Sequence, residues 1–124
     1  MATIYKKSVK SPDEVRTFDK GKVDLVKLAN TTFGLATLNP GWKWSQCVKP
    51  IVKTKSCEAP HTQYVISGKL HLAMDNGDHF DIGPGDAAVI PPGHDAWVIG
   101  NEPFVAIDVT GMAHYAETSM AHKK

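Results

Sequence analysis

The sequence is poor in cysteine, in net charge and in long apolar runs. Two cysteines among 124 residues are too few for a disulfide-stapled scaffold. The 14 Lys and Arg nearly balance the 13 Asp and Glu, so charge gives no reason to bind nucleic acid or an acidic membrane. The longest apolar runs have four residues, whereas a bilayer-spanning helix needs about 20. We therefore expect neither a nucleic-acid partner nor a membrane partner.

A secretory signal is also missing from the first residues. The positive charges at Lys6 and Lys7 are not followed by an apolar stretch. We therefore expect a cytoplasmic protein, in which Cys47 and Cys57 stay reduced as free thiols.

Long amphipathic helices are absent from the pattern, and only one short helical turn is predicted, near the amino terminus. Ser11 fits an N-cap and Pro12 fits the first helical position. Asp13 and Glu14 then place acids in the first turn, so a helical turn is expected through about Arg16.

Turn residues, by contrast, recur regularly and separate short alternating segments. Turn glycines at 68, 77, 85 and 93 are spaced by nine, eight and eight residues. Between them, Leu70, Leu72 and Met74 share one strand face, and Asn76-Gly77 suits a tight hairpin. Residues 23–28, 32–38 and 104–109 also read as strands. This spacing predicts an all-β sandwich or barrel.

Two segments of the second half resemble the cupin family. A Tyr-Val-x-x-Gly segment ends at Gly68, and residues 85–93 read as Gly, five residues and Pro-x-Gly. The resemblance covers about residues 32–110. It implies an all-β double-stranded β-helix, the jelly-roll barrel of the cupins, with one domain over 1–124, a barrel core of about 22–112 and peripheral termini.

Two further segments are similar to an uncharacterised subgroup of small cupins. They are Gly-Trp-x-Trp-Ser at 41–45 and Pro-Pro-Gly-His-Asp-Ala-Trp at 91–97. The subgroup implies a fold but no settled reaction, because this fold carries many unrelated functions.

The metal-ligand positions of the cupin motifs are only partly filled by ligating residues. In motif order, these positions hold Lys55, Cys57, His61 and Ala96. Cys57 and His61 can ligate, and on a strand their spacing would place both inside the barrel. His94 lies two residues before the last position, so it can reach the same cavity from the opposite strand. A thiolate with two imidazoles suits one divalent transition metal: zinc, or less typically iron or copper.

A metal-free interpretation stands beside this one. Cys57 can be a small buried hydrophobe while both histidines join polar networks. Cys47 can be simple packing, a third ligand or a disulfide partner under oxidation. Asp95 can orient an imidazole or act as a base.

Large rings predict a ligand pocket at the barrel mouth. Trp42 and Trp44 are two residues apart and would share a strand face; the pocket set adds Tyr64, Asp95 and Trp97. The alternative is that these rings cap the barrel and fill a dimer interface. His71 should point away from the core, toward solvent or an interface.

Two functional classes stay open at this point, and no catalytic residue is assigned. The missing ligand positions slightly favour a non-catalytic binding or sensing module for a small molecule. The alternative is a metal-dependent enzyme of oxygenase, isomerase or hydrolase type, acting on a small polar or aromatic substrate. The resemblance to small cupins also implies a homodimer.

Overall fold

The computed structural model of the protein describes residues 3–109. Within that range the chain forms nine strands and two helical turns. These are β1 (Glu14–Phe18), β2 (Gly21–Leu28), β3 (Thr31–Leu38), α1 (Trp44–Cys47), α2 (Lys49–Val52), β4 (His61–Ser67), β5 (Lys69–Met74), β6 (His79–Ile82), β7 (Ala87–Ile90), β8 (His94–Ile99) and β9 (Phe104–Asp108). The predicted peripheral carboxyl terminus, after about residue 112, falls outside the described residues.

The strands form two antiparallel sheets that share one core. The larger sheet has the order β1-β2-β3-β9-β4-β7, and the smaller has the order β6-β5-β8. Side chains of both sheets meet in a single buried cluster, including Val65 and Phe104 from the large sheet and Leu72 from the small one. This arrangement confirms the predicted double-stranded β-helix. Among the described residues, no helix is long and apolar enough to cross a bilayer.

The predicted hairpin lies where the Asn-Gly signal placed it. Residues 75–78 connect β5 to β6, and the Met74 N–H donates to the Asp78 carbonyl at 2.8 Å. Along β5, Leu70 and Leu72 are buried while His71 points to the outer face. The hairpin register therefore decides which of these side chains reach the barrel interior.

The predicted helical turn through Arg16 is wrong, because residues 14–18 form strand β1 and pair with β2. The Asp13 carboxylate accepts a hydrogen bond from the Lys27 backbone N–H at 2.7 Å and pairs with Lys7, so it is not a first-turn acid. Val15 and Thr17 are β-branched residues that favour an extended chain. Pairing with β2 outweighs the local capping signal.

The expected strand through Trp42 and Trp44 is also wrong. Trp44 begins α1, and the Ser45 backbone N–H in its first turn donates to the Asp95 carboxylate at 3.1 Å. Within the segment from Trp42 to Trp44, one residue pairs as in a strand: Lys43 forms an isolated bridge with Trp97. The two tryptophans nevertheless both lie in the core, each about 2% exposed, because α1 packs against β8.

Candidate metal centre

Three predicted ligands meet inside the barrel. The candidate ligand atoms of Cys57, His61 and His94 all lie within 4.8 Å of one another. The Cys57 Sγ lies 3.8 Å from His61 Nε2, and the two imidazole rings are 5.3 Å apart at an edge-on angle. All three residues are at least 95% buried. The group has the size and composition of a mononuclear metal site.

Each ligand reaches this point from a different part of the fold. His61 is the first residue of β4 in the large sheet, and His94 is the first residue of β8 in the small sheet. Cys57 lies outside the strands. Its N–H donates to the His94 carbonyl at 2.8 Å, and its own carbonyl accepts from the Gly93 N–H at 2.7 Å. Backbone pairing with β8, rather than a shared strand with His61, therefore turns Cys57 inward.

A buried carboxylate orients the His61 ring. Asp108, which is fully buried on β9, lies 2.5 Å from His61 Nδ1. It also accepts from the Gln63 side-chain amide at 3.1 Å and from the Thr62 backbone N–H. Because an ionised carboxylate only accepts, the Nδ1–H group of His61 donates to it, and Nε2 lies on the side of Cys57.

A backbone carbonyl does the same for His94. The His94 Nδ1 donates to the Pro91 carbonyl at 2.9 Å, so Nε2 is the nitrogen left to accept or ligate. Burial lowers the pKa of His94, with the nearby His61 acting in the same direction. The imidazole is therefore neutral at pH 7, which is the form that binds metals.

Cys57 is held as a thiol by its surroundings. Burial raises its pKa to about 12, and the carboxylates of Glu58, Asp108 and Asp95 act in the same direction. A thiolate at this position therefore needs a cation beside it to form at neutral pH.

A small cavity borders His61 and His94, and two of the residues that line it carry unsatisfied polar atoms. Its volume is about 30 Å³, enough for one or two water molecules. Trp42 Nε1 and Gln63 Oε1 are buried in its wall without a hydrogen-bond partner among residues 3–109. A buried donor and acceptor without partners indicate a polar occupant. These atoms and the donor set fit a metal ion with a water-sized ligand.

The residues predicted for a ligand pocket do not form one site. Trp42 and Trp44 line the cavity, whereas Tyr64 is 54% exposed on the outer face of β4. Trp97 also faces outward and stacks on His71. Asp95 holds α1 rather than an imidazole.

Cys47 is not part of the ligand cluster. It is buried in the core on α1, and its Sγ lies 3.8 Å from an Asp19 carboxylate oxygen. Both cysteines are free thiols. Cys47 thus serves packing, one of the interpretations left open for it.

Two polar residues of the site were missed by sequence reasoning. Asp108 follows Phe104 and Ala106 with strand parity, and Gln63 follows His61 in the same way. Parity could have flagged Asp108. However, Val105 and Ile107 make the other face of β9 equally apolar, so the sequence did not show which face is buried.

Comparisons with known proteins agree with this architecture. Residues 39–106 match the EutQ-like cupin domain, which covers more than half of the chain. None of the curated proteins matches the sequence.

Solved structures with the same fold include proteins of different length. An uncharacterised double-stranded β-helix protein from Klebsiella pneumoniae is 25% identical over 90% of both chains, with a TM-score of 0.56. A sugar phosphate isomerase from Silicibacter pomeroyi is 22% identical over 85% of this chain and 74% of its own, with a TM-score of 0.60.

Longer proteins also contain the fold. An oxalate decarboxylase from Lactobacillus farciminis is 18% identical over 79% of this chain, with a TM-score of 0.58, and the match spans only 30% of the decarboxylase. Its sequence identity is low enough that the likeness shows the fold alone. With the barrel, its two sheets and the matched segment in agreement, the chain belongs to the EutQ-like cupin family.

Proposed function

We propose that the protein binds one divalent transition metal, zinc by preference, through Cys57 Sγ, His61 Nε2 and His94 Nε2. The observation that carries this proposal is the pair of contacts at the two Nδ1 atoms, to Asp108 and to the Pro91 carbonyl. A hydrogen bond from the second ring nitrogen to a carboxylate or carbonyl is the usual partner of a metal-binding histidine. The Nε2 atom of His61 thus lies 3.8 Å from the buried Cys57 thiol, and the Nε2 atom of His94 lies in the same cluster.

The proposed ligands leave one coordination position for a small oxygen-donor molecule. Three protein ligands complete only part of the tetrahedral set that zinc prefers. The adjoining cavity of about 30 Å³ is far below the roughly 300 Å³ at which pockets for organic ligands begin. We infer that the molecule bound at this position is water or a compound of a few atoms. A larger ligand requires Trp42 or Trp44 to move.

Binding or sensing of such a molecule is our leading function. When bound, zinc supplies a Lewis acid for an oxygen atom. The chain's own residues then act around it. Asp108 and Pro91 hold the imidazoles, Gln63 Oε1 offers an acceptor, and Trp42 Nε1 offers a donor within the cavity wall.

A metal-dependent enzyme is the second candidate. An open fourth position beside three protein ligands is the arrangement of catalytic rather than structural zinc sites. The similar structure from Silicibacter pomeroyi is a sugar phosphate isomerase by name, and isomerisation is among the reaction types compatible with the fold. The cavity, however, admits such a substrate only after the tryptophans rearrange.

Cobalt substitution tests the proposed ligand set. Tag-free protein loaded with one equivalent of Co²⁺ should show a thiolate-to-cobalt charge-transfer band. Cys57→Ala should remove the band, while the matched control Cys47→Ala, another buried cysteine, should retain it. Equal spectra from both variants, with folding checked by circular dichroism, would contradict the site.

The open position has its own test. Adding formate or azide to the cobalt protein should shift the visible ligand-field bands, because a free coordination position accepts the anion. Bands that stay unchanged at saturating anion would show a closed, structural site and overturn the binding function while leaving the metal in place.

We also propose that the protein is a homodimer. Tyr64, Ile66 and Val89 are 54%, 50% and 80% exposed, and they share the outer side of β4 and β7. A specific interface over this face should bury at least about 1,000 Å² in total. Light scattering should give twice the chain mass of 13.5 kDa at micromolar concentration, and a monomer throughout would contradict it.

A further inference from the structure

A second pair of histidines meets on the outer face of the small sheet. His71 lies on β5 and His79 on β6, two positions apart in the antiparallel register. The His71 Nε2 and His79 Nδ1 atoms are 3.0 Å apart. His71 points outward because its neighbours Leu70 and Leu72 fill the core. The pair therefore faces solvent on the opposite side of the sheet from the barrel cavity.

Asp81 orients the ring of His71. It is the direct cross-strand partner of His71, and its Oδ1 lies 2.5 Å from His71 Nδ1. Because the carboxylate accepts, the Nδ1 proton is held there and Nε2 presents its lone pair toward His79. The Trp97 ring, 4.6 Å away and tilted by 32°, packs against the His71 ring and limits its rotation.

Two ring nitrogens 3.0 Å apart are joined by one proton, with the N–H of one ring donating to the lone pair of the other. A metal ion bound to both nitrogens would replace that proton. Metal–nitrogen bonds of about 2.0–2.1 Å across the 3.0 Å gap correspond to a nitrogen–metal–nitrogen angle of about 94°. Angles near 90° belong to the tetragonal and octahedral geometries of Cu²⁺ and Ni²⁺.

We propose that His71 and His79 form a second, surface site for a borderline transition-metal dication, Cu²⁺ or Ni²⁺ by preference, with Asp81 as the positioning residue. His79 is exposed, so its ring can turn to complete the chelate, and water fills the remaining positions. The site shares no residue with the Cys57 cluster and does not depend on it.

Paramagnetic broadening by Ni²⁺ locates the site in the full-length, tag-free protein. In a ¹H–¹⁵N spectrum, substoichiometric Ni²⁺ should broaden the amides around residues 71–74 and 78–81. His71→Ala and His79→Ala should each abolish this broadening and weaken calorimetric Ni²⁺ affinity at least tenfold. Both substitutions lie on the exposed face, and the unchanged remainder of the spectrum reports an intact fold.

Controls separate this site from the other histidines and from the barrel. His114→Ala/His122→Ala should retain the broadening, and Cys57→Ala should retain it as well. Asp81→Asn should weaken affinity about tenfold, at the lower end of the range for such partners, and Asp81→Glu should restore part of it. Broadening that persists in His79→Ala, or that centres on the barrel or the chain ends, would overturn the proposal.

Discussion

At the scale of single residues, two aspartates do the same work in opposite environments. Asp108 holds Nδ1 of His61 inside the barrel, and Asp81 holds Nδ1 of His71 on the surface. In each ring the other nitrogen, Nε2, contacts a second partner: Cys57 Sγ for His61 and His79 Nδ1 for His71. The Asp108–His61 pair is shielded from solvent, so its hydrogen bond should contribute strongly to metal affinity. The Asp81–His71 pair is exposed, so water weakens its effect.

Asp108→Asn should lower zinc affinity about 10- to 100-fold, because the amide is a weaker acceptor for the His61 Nδ1–H. Competition with a fluorescent zinc chelator measures this change. Asp24→Asn is the matched control, since Asp24 is also a buried strand carboxylate but pairs with Lys22 away from the site. Equal loss in both variants would indicate a general effect on folding.

The titration of His94 predicts a pH dependence of stability in the chelator-treated protein. Burial lowers its pKa below the unfolded value of 6.5, so the unfolded chain takes up the proton first. The stability that neutral His94 contributes to the folded state is fully present above pH 6.5, and it is lost as the pH falls through the pKa of His94 in the folded protein. Urea unfolding should show a shallower decline of the unfolding free energy below pH 6.5 in His94→Gln, and parallel curves would contradict this.

At the scale of elements, the chain crosses from the large sheet to the small sheet through a close backbone contact, and this crossing positions the site. Gly68 joins β4 of the large sheet to β5 of the small sheet with φ at +75°. An added Cβ would meet the Pro103 carbonyl oxygen and lie 2.7 Å from the Phe104 Cα. Only glycine fits this close to the backbone of residues 103 and 104. The connection from β4 to β5, which places His61 opposite His94, therefore depends on Gly68.

Gly68→Ala should therefore destabilise the protein more than Gly77→Ala does. Gly77 also has positive φ, at +99°, but a Cβ there has nothing within 4 Å. Both variants bear a conformational cost of about 1–2 kcal/mol. Gly68→Ala adds about 1–3 kcal/mol for the forced contact. Urea midpoints measure the difference, and equal midpoints would show that the crossing can relax.

At the scale of the whole molecule, we expect the protein to fold without a bound metal. Its buried apolar cluster runs through both sheets and α1. A bound metal should add to that stability by mass action, by about 2.7 kcal/mol when free zinc is 100 times the dissociation constant.

Thermal unfolding should accordingly shift upward with zinc and return with a chelator, leaving a cooperative transition in both states. Cys57→Ala should lose the zinc-dependent shift. Cys47→Ala should keep the shift but unfold at a lower temperature with and without zinc, because the substitution leaves a space in the core away from the site. A protein that unfolds on chelation would show that the site is structural.

Much of the barrel followed from local pattern. The turn glycines, the Asn-Gly hairpin and the alternation of Leu70 and Leu72 predicted strands that the structure contains, because side-chain parity and turn chemistry act over a few residues. The sequence motifs likewise indicated Cys57, His61 and His94 as candidate ligands. Capping signals at Ser11 and the Trp42–Trp44 spacing misled, because strand pairing and the Asp95 contact act from distant parts of the chain.

Only the tertiary structure decided how the candidate residues are used. It paired Cys57 with the backbone of His94, placed Asp108 behind His61, and set His71 against His79 across a hairpin. It also turned Tyr64, Asp95 and Trp97 away from the cavity. Each of these outcomes depends on which face of a strand is buried and on which strands become neighbours. Sequence spacing alone does not specify either, because both faces of β9 are apolar and because partners such as residues 61 and 108 are 47 residues apart.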